Sequence, residues 1–225
     1  MFFVVTGCSS GLGFHLVNTL LNKEKNVIGV SRTLGRCSIF LENKNFKFIA
    51  MDLVDTSKIH ETLAKHSLNE LDDVQLILNA GVFFNENINS TFNQKTYDIF
   101  AVNYFSCIDF VSFFMKNNLR RVLFVNSVAG INSFGGQSQY CASKHAQLSF
   151  SRSLQKESIG KNFDVMTINP GGINTELWDK NTMLKKNQTQ KFLDPSDLAI
   201  FLGAILELPP NTYLDSCVIL PEADI

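Results

Sequence analysis

The sequence lacks an excess of charge of either sign. Lysine and arginine number 20, and aspartate and glutamate 21, so the 225-residue chain has a formal net charge of -1. No field of the whole protein would attract nucleic acid or an anionic lipid surface, and we expect neither as a partner. Charged residues make up only 18% and apolar residues 45%, which is enough apolar material for a core and excludes a disordered chain.

Cysteines and histidines at metal-ligand spacing are also missing. The five cysteines are scattered without a CxxC pair and their number is odd, which suits a reducing cytoplasm better than a disulfide framework. The histidines at 15, 60, 66 and 145 have no partners at metal-ligand spacing. We therefore expect no metal site and interpret each histidine as a surface or helix residue.

No segment predicts export or membrane insertion. The first residues, "MFFVVTGCSS", have no basic region before their short apolar run, unlike a signal peptide. The most apolar later run, "YFSCIDFVSFFM", contains Asp109 and is shorter than the roughly 20 residues that cross a bilayer. We expect a soluble, cytoplasmic protein without membrane contact.

Short β-branched runs alternate with helix-like segments, which is typical of a parallel sheet covered by helices. Seven strands are predicted, at 2–6, 26–31, 46–52, 74–80, 121–127, 164–170 and 216–220. Helices are predicted at 11–23, 57–67, 93–117, 138–157 and 196–208. No linker or repeat divides the chain, so residues 1–225 are predicted to form one α/β domain: a doubly wound parallel sheet of about seven strands with helices on both faces. Residues 174–194, rich in Asn, Lys, Gln and Thr, are predicted to form a short substrate loop.

Three glycines lie between the first strand and the first helix, in "VVTGCSSGLGFHLV". Glycine is needed where the backbone bends sharply and where it approaches a phosphate closely, as at Gly7, Gly11 and Gly13. The free N–H groups and the dipole of the following helix would bind an anion. An ordinary strand-to-helix turn can also use glycine, but the strand before and the helix after favour a Rossmann-type dinucleotide site.

The glycine spacing is T-G-x-x-x-G-x-G, from Thr6 to Gly13, and this resembles the short-chain dehydrogenase/reductase family. Further residues match that family in type, order and spacing: "NAG" at 79–81, Asn103, Ser127, Tyr140 and Lys144 as Y-x-x-x-K, and "PGGINT" at 170–175. The matches span residues 6–175, and the chain is similar to the compact, single-domain branch of the family.

The resemblance implies a catalytic set of Asn103, Ser127, Tyr140 and Lys144. A carbonyl that receives a hydride needs a proton and a donor that polarises its oxygen, and these roles fall to Tyr140 and Ser127. Lys144, one helical turn from Tyr140, and a nearby oxidised nicotinamide are expected to lower the tyrosine pKa from about 10 by roughly two to three units. The resemblance also implies that Lys144 holds the nicotinamide ribose. Asn103 would position a water linked to that lysine. Taken singly, these residues are better explained as a core tyrosine, a surface lysine, a strand-end cap and a helix asparagine. Their joint register with the glycine turn reverses that preference.

The end of the second strand predicts which cofactor is bound. It reads "GVSRT", with Ser31 and Arg32 where an NAD enzyme would have an acidic residue. Because a guanidinium can hold a 2'-phosphate through two N–H groups, NADP is favoured over NAD. The alternative is that Arg32 is simply exposed, since Ser9 and Ser10 offer no second basic residue. The resemblance places Asp52 beside the adenine, and Thr6 is expected to stabilise the glycine turn rather than to contact the ligand. The predicted cofactor-binding residues are Gly7, Ser9, Ser10, Gly11, Leu12, Gly13, Ser31, Arg32, Asp52, Leu53, Asn79, Ala80, Gly81, Tyr140, Lys144, Pro170, Gly171, Ile173 and Thr175.

These observations predict an NADP-dependent oxidoreductase that interconverts a small-molecule carbonyl and a secondary alcohol, acting as a reductase. The alternative function is a dinucleotide-binding sensor or scaffold without turnover; the four filled catalytic positions argue against it. Phe83, Phe134 and Trp178 indicate an apolar or ring-shaped substrate. A helix with Phe100, Phe105, Phe110, Phe113 and Phe114 has more apolar faces than one sheet contact needs, and the resemblance implies pairing through it, as a homodimer or homotetramer.

Overall fold

One all-parallel sheet of seven strands organises the molecule. The computed structural model describes residues 1–84, 92–116, 119–180, 191–209 and 212–222. The strand order is β3-β2-β1-β4-β5-β6-β7, which confirms the predicted sheet. The strands are β1 (Phe2–Thr6), β2 (Asn26–Ser31), β3 (Phe46–Ala50), β4 (Val74–Leu78), β5 (Leu119–Val125), β6 (Asp164–Pro170) and β7 (Cys217–Ile219).

The described helices cover both faces of the sheet. They are α1 (Gly11–Asn22), α2 (Ile59–Lys65), α3 (Gln94–Phe100), α4 (Ser106–Met115), α5 (Ser138–Ser158) and α6 (Pro195–Ile205). A π-helical turn, Ala101–Phe105, joins α3 to α4 without a break, so the helix predicted at 93–117 is present with a widened turn. Short 3-10 turns that the sequence did not predict include Gly35–Phe40 after β2 and Thr56–Lys58, which replaces the predicted first turn of α2.

Two apolar cores follow from the period of two along each strand. In β1, Phe3 and Val5 belong to the core that contains Leu16 of α1 and Leu202 of α6. Val4 belongs to the opposite core, which contains Phe110 of α4. Consecutive strand residues thus bury themselves under different helices, and the doubly wound arrangement is built into the sequence of each strand.

Several strands end earlier than predicted. β4 ends at Leu78 rather than at 80, because the N–H groups of Asn79 and Ala80 both donate to Thr6 Oγ1 at 3.0 Å. β5 begins at Leu119 and ends at Val125 rather than at 127, because Ser127 caps a 3-10 turn and accepts a bond from the Ala129 N–H at 3.1 Å. β3 and β7 are likewise shorter than predicted. The polar residues at the carboxyl edge therefore leave the sheet and are available to form a site.

The continuous helical stretch Gln94–Met115 is longer than its apolar sequence run. It has 22 residues and is long and apolar enough to cross a bilayer by length and composition, so the expectation that this region was too short was wrong. More than half of its most apolar window is buried inside the fold. That burial is the environment of a core helix.

Candidate active site

A cavity of about 680 Å³ opens at the carboxyl edge of the sheet. It lies where β1 and β4 are neighbours, and the helices that follow these two strands, α1 and α3–α4, lie on opposite faces. Such a reversal in a parallel sheet leaves a crevice for a ligand. The structure brings every predicted cofactor-binding residue into the lining of this cavity, together with Ser127, Tyr140 and Lys144. Asn103 lies outside the lining.

The turn after β1 is built on glycine backbone geometry. Gly7 and Gly11 have φ of 69° and 50°, which is the left-handed region that glycine adopts without strain. At Gly13 a side chain would collide with the Gly7 carbonyl oxygen and would lie 2.6 Å from Asn79 Nδ2. The turn is therefore closed against the end of β4, and it presents backbone rather than side chains to the cavity.

The first turn of α1 fits the pyrophosphate of a dinucleotide. The N-cap residue, Ser10, makes no side-chain bond to the helix, and Gly11, Leu12 and Gly13 line the cavity. Unbonded N–H groups at the start of a helix, with its dipole behind them, bind negatively charged groups. The residues present thus fit the cofactor that the sequence predicts.

Thr6 and Asn79 hold the glycine turn. Besides accepting the two N–H bonds described above, the Thr6 hydroxyl donates to the Ile77 carbonyl at 3.3 Å. The Asn79 side-chain amide donates to the carbonyl oxygens of Thr6 at 2.9 Å and Gly7 at 3.2 Å. Thr6 therefore acts inside the protein, as expected, and the side-chain N–H of Asn79 is also committed to the turn although the residue lines the cavity.

Two basic residues lie beyond the end of β2, and the second of them was not predicted from the sequence to belong to the site. Arg32 is exposed at the cavity, while Ser31 donates its hydroxyl to the Thr33 carbonyl at 2.7 Å. The missed residue is Arg36: its N–H donates to the Ser9 carbonyl at 2.9 Å, and its guanidinium lies 4.1 Å above the Phe14 ring. The 3-10 turn that begins at Gly35 places Arg36 beside the glycine turn. Gly35 has a φ of 52°, so the glycine at this position was the sequence feature that could have indicated the turn.

At the adenine end Asp52 lines the cavity, where its carboxylate accepts the Val54 N–H at 3.1 Å. This bond fixes the turn after β3 beside the predicted adenine position. Leu53 is buried next to it.

Tyr140 is the acidic group of the site. Burial raises the pKa of its phenol to about 12, while a hydrogen bond with Ser127 acts in the opposite direction because it stabilises the phenolate. The ring packs edge-on against Phe83, with centroids 5.0 Å apart. The expected lowering of this pKa is therefore wrong for the protein alone, because loss of water around the phenol sets the direction of the shift.

Lys144 is buried, with 3% of its surface exposed. Its ammonium donates to the Val125 carbonyl at 3.2 Å and to Gln147 Oε1 at 3.1 Å, and burial lowers its pKa to about 8. The sequence analysis missed Gln147, a fully buried side chain whose amide also donates to Cys107 Sγ at 3.3 Å. Its position three residues after Lys144, on the same helical face, was the only indication.

Asn103 lies behind the cavity, in the π-helical turn, and is fully buried. Its Oδ1 accepts the Val82 N–H at 2.8 Å. Its Nδ2 donates to the Val82 carbonyl and to Ser143 Oγ, both at 3.0 Å. The amide thus fastens the loop after β4 to α5 and supports the cavity wall; its expected role with a water stays a prediction.

The substrate end of the cavity is aromatic. Phe83, Phe134 and Trp178 all line it, as does Phe192. The predicted loop at 174–194 is described only in part: it contains the 3-10 turn Glu176–Lys180 and the start of the segment before α6, and residues 181–190 lie outside the described residues. Chemically, the site combines an anion-binding turn, a protonated phenol with a hydroxyl partner, and a buried ammonium.

Comparison with known proteins agrees with this geometry. The family model described as short chain dehydrogenase matches residues 2–185. The 3-oxoacyl-[acyl-carrier-protein] reductase FabG of Haemophilus influenzae is 28% identical over 182 residues, which cover 77% of this chain and 74% of that protein.

Two solved structures share the fold. The closed form of a serine dehydrogenase complexed with NADP+ has a TM-score of 0.84 at 21% identity, covering 97% of this chain and 94% of the other. A 4-hydroxyisoleucine dehydrogenase complexed with NADH has a TM-score of 0.85 at 21% identity, with coverages of 98% and 97%.

Proposed function

This chain belongs to the short-chain dehydrogenase family and is an NAD(P)-dependent oxidoreductase, and on that premise we propose that it is an NADP-dependent carbonyl reductase with Tyr140 as its proton donor. The observation that carries the proposal is the Tyr140 phenol, hydrogen-bonded to Ser127 and lining the same cavity as the glycine turn. A group with a pKa of about 12 is protonated at neutral pH, which suits the donor of a reduction.

When bound, the reduced nicotinamide supplies the hydride. The residues of this chain bind the cofactor, polarise the carbonyl oxygen of the substrate and protonate it. The α1 N-terminus would hold the pyrophosphate, and Ser127 would offer its hydroxyl to the substrate oxygen. As negative charge grows on that oxygen, the Tyr140 hydroxyl gives up its proton to it. The phenolate left behind is stabilised by the positive charge of Lys144, one helical turn away.

The experiment that tests this role is Tyr140→Phe. The change removes the transferable proton and keeps the ring against Phe83, so we expect kcat to fall by about 10²- to 10⁴-fold in a protein that still binds NADPH. Tyr97→Phe, on the exposed side of α3, is the matched control and should leave kcat as it is. If Tyr140→Phe retains full turnover, or if the wild-type protein binds NADPH but reduces no member of a broad carbonyl panel, the non-catalytic sensor or scaffold is the better interpretation.

The proposed preference for NADP depends on Arg32. Its guanidinium is exposed at the cavity beside Ser31. A second positive charge lies close by, on the Arg36 guanidinium, which stacks on Phe14 and is 3.8 Å from the Glu176 carboxylate. One solved structure of the same fold is a complex with NADP+ and another is a complex with NADH, so the fold does not decide between the two cofactors. The preference for NADP depends on the basic residues.

We expect Arg32→Asp to raise the KM for NADPH by at least about tenfold, since a charge-assisted bond to the 2'-phosphate becomes a repulsion. The KM for NADH should change much less. The same charge reversal at the exposed Arg152 on α5 controls for net charge. Equal losses for both cofactors would remove the case for 2'-phosphate recognition.

The proposal extends to the setting of the enzyme. All five cysteines are free thiols, which supports a reducing compartment, and we infer a cytoplasmic location. We further infer that the substrate is a small molecule and that the protein is a homodimer or homotetramer.

A further inference from the structure

Three rings form a continuous wall at the substrate end of the cavity. Phe83 and Trp178 have centroids 5.5 Å apart, and Trp178 and Phe192 have centroids 5.3 Å apart. Phe83 also touches the Tyr140 ring edge-on. We call Phe83, Trp178 and Phe192 the aromatic wall; it begins at the proton donor and lines the cavity away from it.

The wall is held in place by specific contacts. The Trp178 indole N–H donates to the Ile173 carbonyl at 2.9 Å, so the polar atom of the indole is already bonded. A Cβ atom at Gly172 would lie 2.7 Å from Phe192 Cδ1. Because glycine has no side chain, the Phe192 ring can occupy this space. Phe83 is 3% exposed. The rings therefore present an apolar surface of fixed shape rather than a flexible one.

The charges around the cavity disfavour an anionic substrate. Among the described lining residues the cations are Arg32 and Lys144, at the adenine end and under Tyr140. The Lys144 ammonium is bonded within the protein. The carboxylates of Asp98 and Glu176, by contrast, both belong to the lining. Glu176 is paired with the Arg36 guanidinium at 3.8 Å, so that cation is already engaged, and a carboxylate or phosphate on the substrate would meet the negative charge of Asp98.

We propose that the site takes a neutral, flat ring carbonyl, whose ring packs against the aromatic wall while its oxygen meets Tyr140. This substrate class rests on the proposed function, since Tyr140 must be the group that donates a proton to the carbonyl oxygen. It differs from the 3-oxoacyl group in the name of the H. influenzae relative. Aromatic rings prefer edge-on and offset contacts with their centroids about 4.5 to 7 Å apart. The rings of the aromatic wall line the cavity, where the ring of a substrate can make such contacts.

Trp178 makes the proposal measurable without turnover, because it is the only tryptophan of the chain. Its fluorescence is titrated, in the presence of NADP+ so that no reduction occurs, with three ketones. They are 1-tetralone, a neutral bicyclic ketone; 2-decanone, a linear ketone with as many carbons; and 4-acetylbenzoate, an anionic ring ketone. With correction for ketone absorbance, we expect 1-tetralone to bind at least about tenfold more tightly than the other two.

Variants of the wall identify its contribution. Phe192→Leu keeps an apolar side chain but removes a ring, and should reduce the preference for 1-tetralone over 2-decanone severalfold while NADP+ still binds. Phe92→Leu, at a ring that is 78% exposed and outside the cavity lining, should leave the preference unchanged. If Phe192→Leu also leaves it unchanged, the wall does not select the ring.

The outcomes separate this proposal from the one on which it rests. Equal or tighter binding of 2-decanone or 4-acetylbenzoate overturns the ring preference, even if these ketones are reduced. Selective binding of 1-tetralone with no NADPH-dependent reduction of any of the three ketones or of a broad carbonyl panel overturns the reductase and with it the ring's role as substrate. Selective binding together with reduction supports both.

Discussion

Burial acts on the pKa values of Tyr140 and Lys144 in opposite directions. Both shifts favour the neutral form, since a charge is costly away from water: the tyrosine pKa rises to about 12 and the lysine pKa falls to about 8. The spacing in sequence predicts that the two side chains share a helical face, but it contains no information on how much water reaches them. This is why the position of the pair could be predicted and the direction of the tyrosine shift could not.

Gln147 is a positioning residue for Lys144, and its effect should appear in the pH dependence of turnover. Lys144 loses its charge above a pKa of about 8, so the rate of reduction is expected to fall as pH rises through that value. Gln147→Glu places a carboxylate within about 3 Å of the ammonium, which favours the charged form. The alkaline limb of the kcat profile should move up by at least about one pH unit.

Gln147→Leu removes an acceptor from the ammonium and should move the same limb to lower pH. From the neighbouring helix the titratable group that acts on Lys144 is the Cys107 thiol, whose pKa is raised by burial, so it stays neutral over this range. Gln155→Glu, which adds the same charge farther along α5, is the control and should not move the profile. A profile that is identical in all three variants would show that Gln147 only fills space.

The turn between β1 and α1 is the element on which cofactor binding depends most. Alanine at a helical position is ordinarily better than glycine by about 0.5–1 kcal/mol. At Gly13 the added methyl group would meet the Gly7 carbonyl oxygen, and overpacking of this kind costs about 1–3 kcal/mol. Since the obstacle is backbone, the clash outweighs the helical preference.

Gly13→Ala should therefore lower the free energy of unfolding, measured with urea, and weaken NADPH binding by at least about tenfold. Gly135→Ala is the control, because a side chain at Gly135 has nothing within 4 Å. Unchanged NADPH affinity in Gly13→Ala would mean that the turn does not shape the cofactor site.

Other features of the elements follow from contacts that local sequence does not contain. The order of strands and helices was predictable because β-branched runs and turn residues alternate along the chain. The π-helical turn was not, since an extra residue at Ala101–Phe105 barely changes the apolar pattern. Arg121 is a second example: it is fully buried in β5, where it pairs with Asp164 at 3.0 Å and donates to carbonyls at the end of α6.

Fewer phenylalanines of the stretch Gln94–Met115 are available for assembly in the folded molecule than the sequence predicts. Phe110, Phe113 and Phe114 are buried in the core of the subunit, so they offer nothing to a partner, and the expectation based on them was wrong in that part. Phe105 remains 40% exposed. It lies in a surface cluster with Phe100 and Tyr104, and Tyr104 reaches Phe150 of α5 with ring centroids 6.2 Å apart.

This cluster spans two neighbouring helices, which is the shape that a two-fold contact with a second copy would bury. We expect light scattering at micromolar concentration to give a dimer or tetramer. Phe105→Glu puts a charge at the centre of the cluster and should at least halve the assembly mass. Ile39→Glu is the control, since Ile39 is 70% exposed and lies in the 3-10 turn whose buried residues join the opposite core. A wild-type monomer, or equal loss of assembly in both variants, contradicts pairing through this cluster.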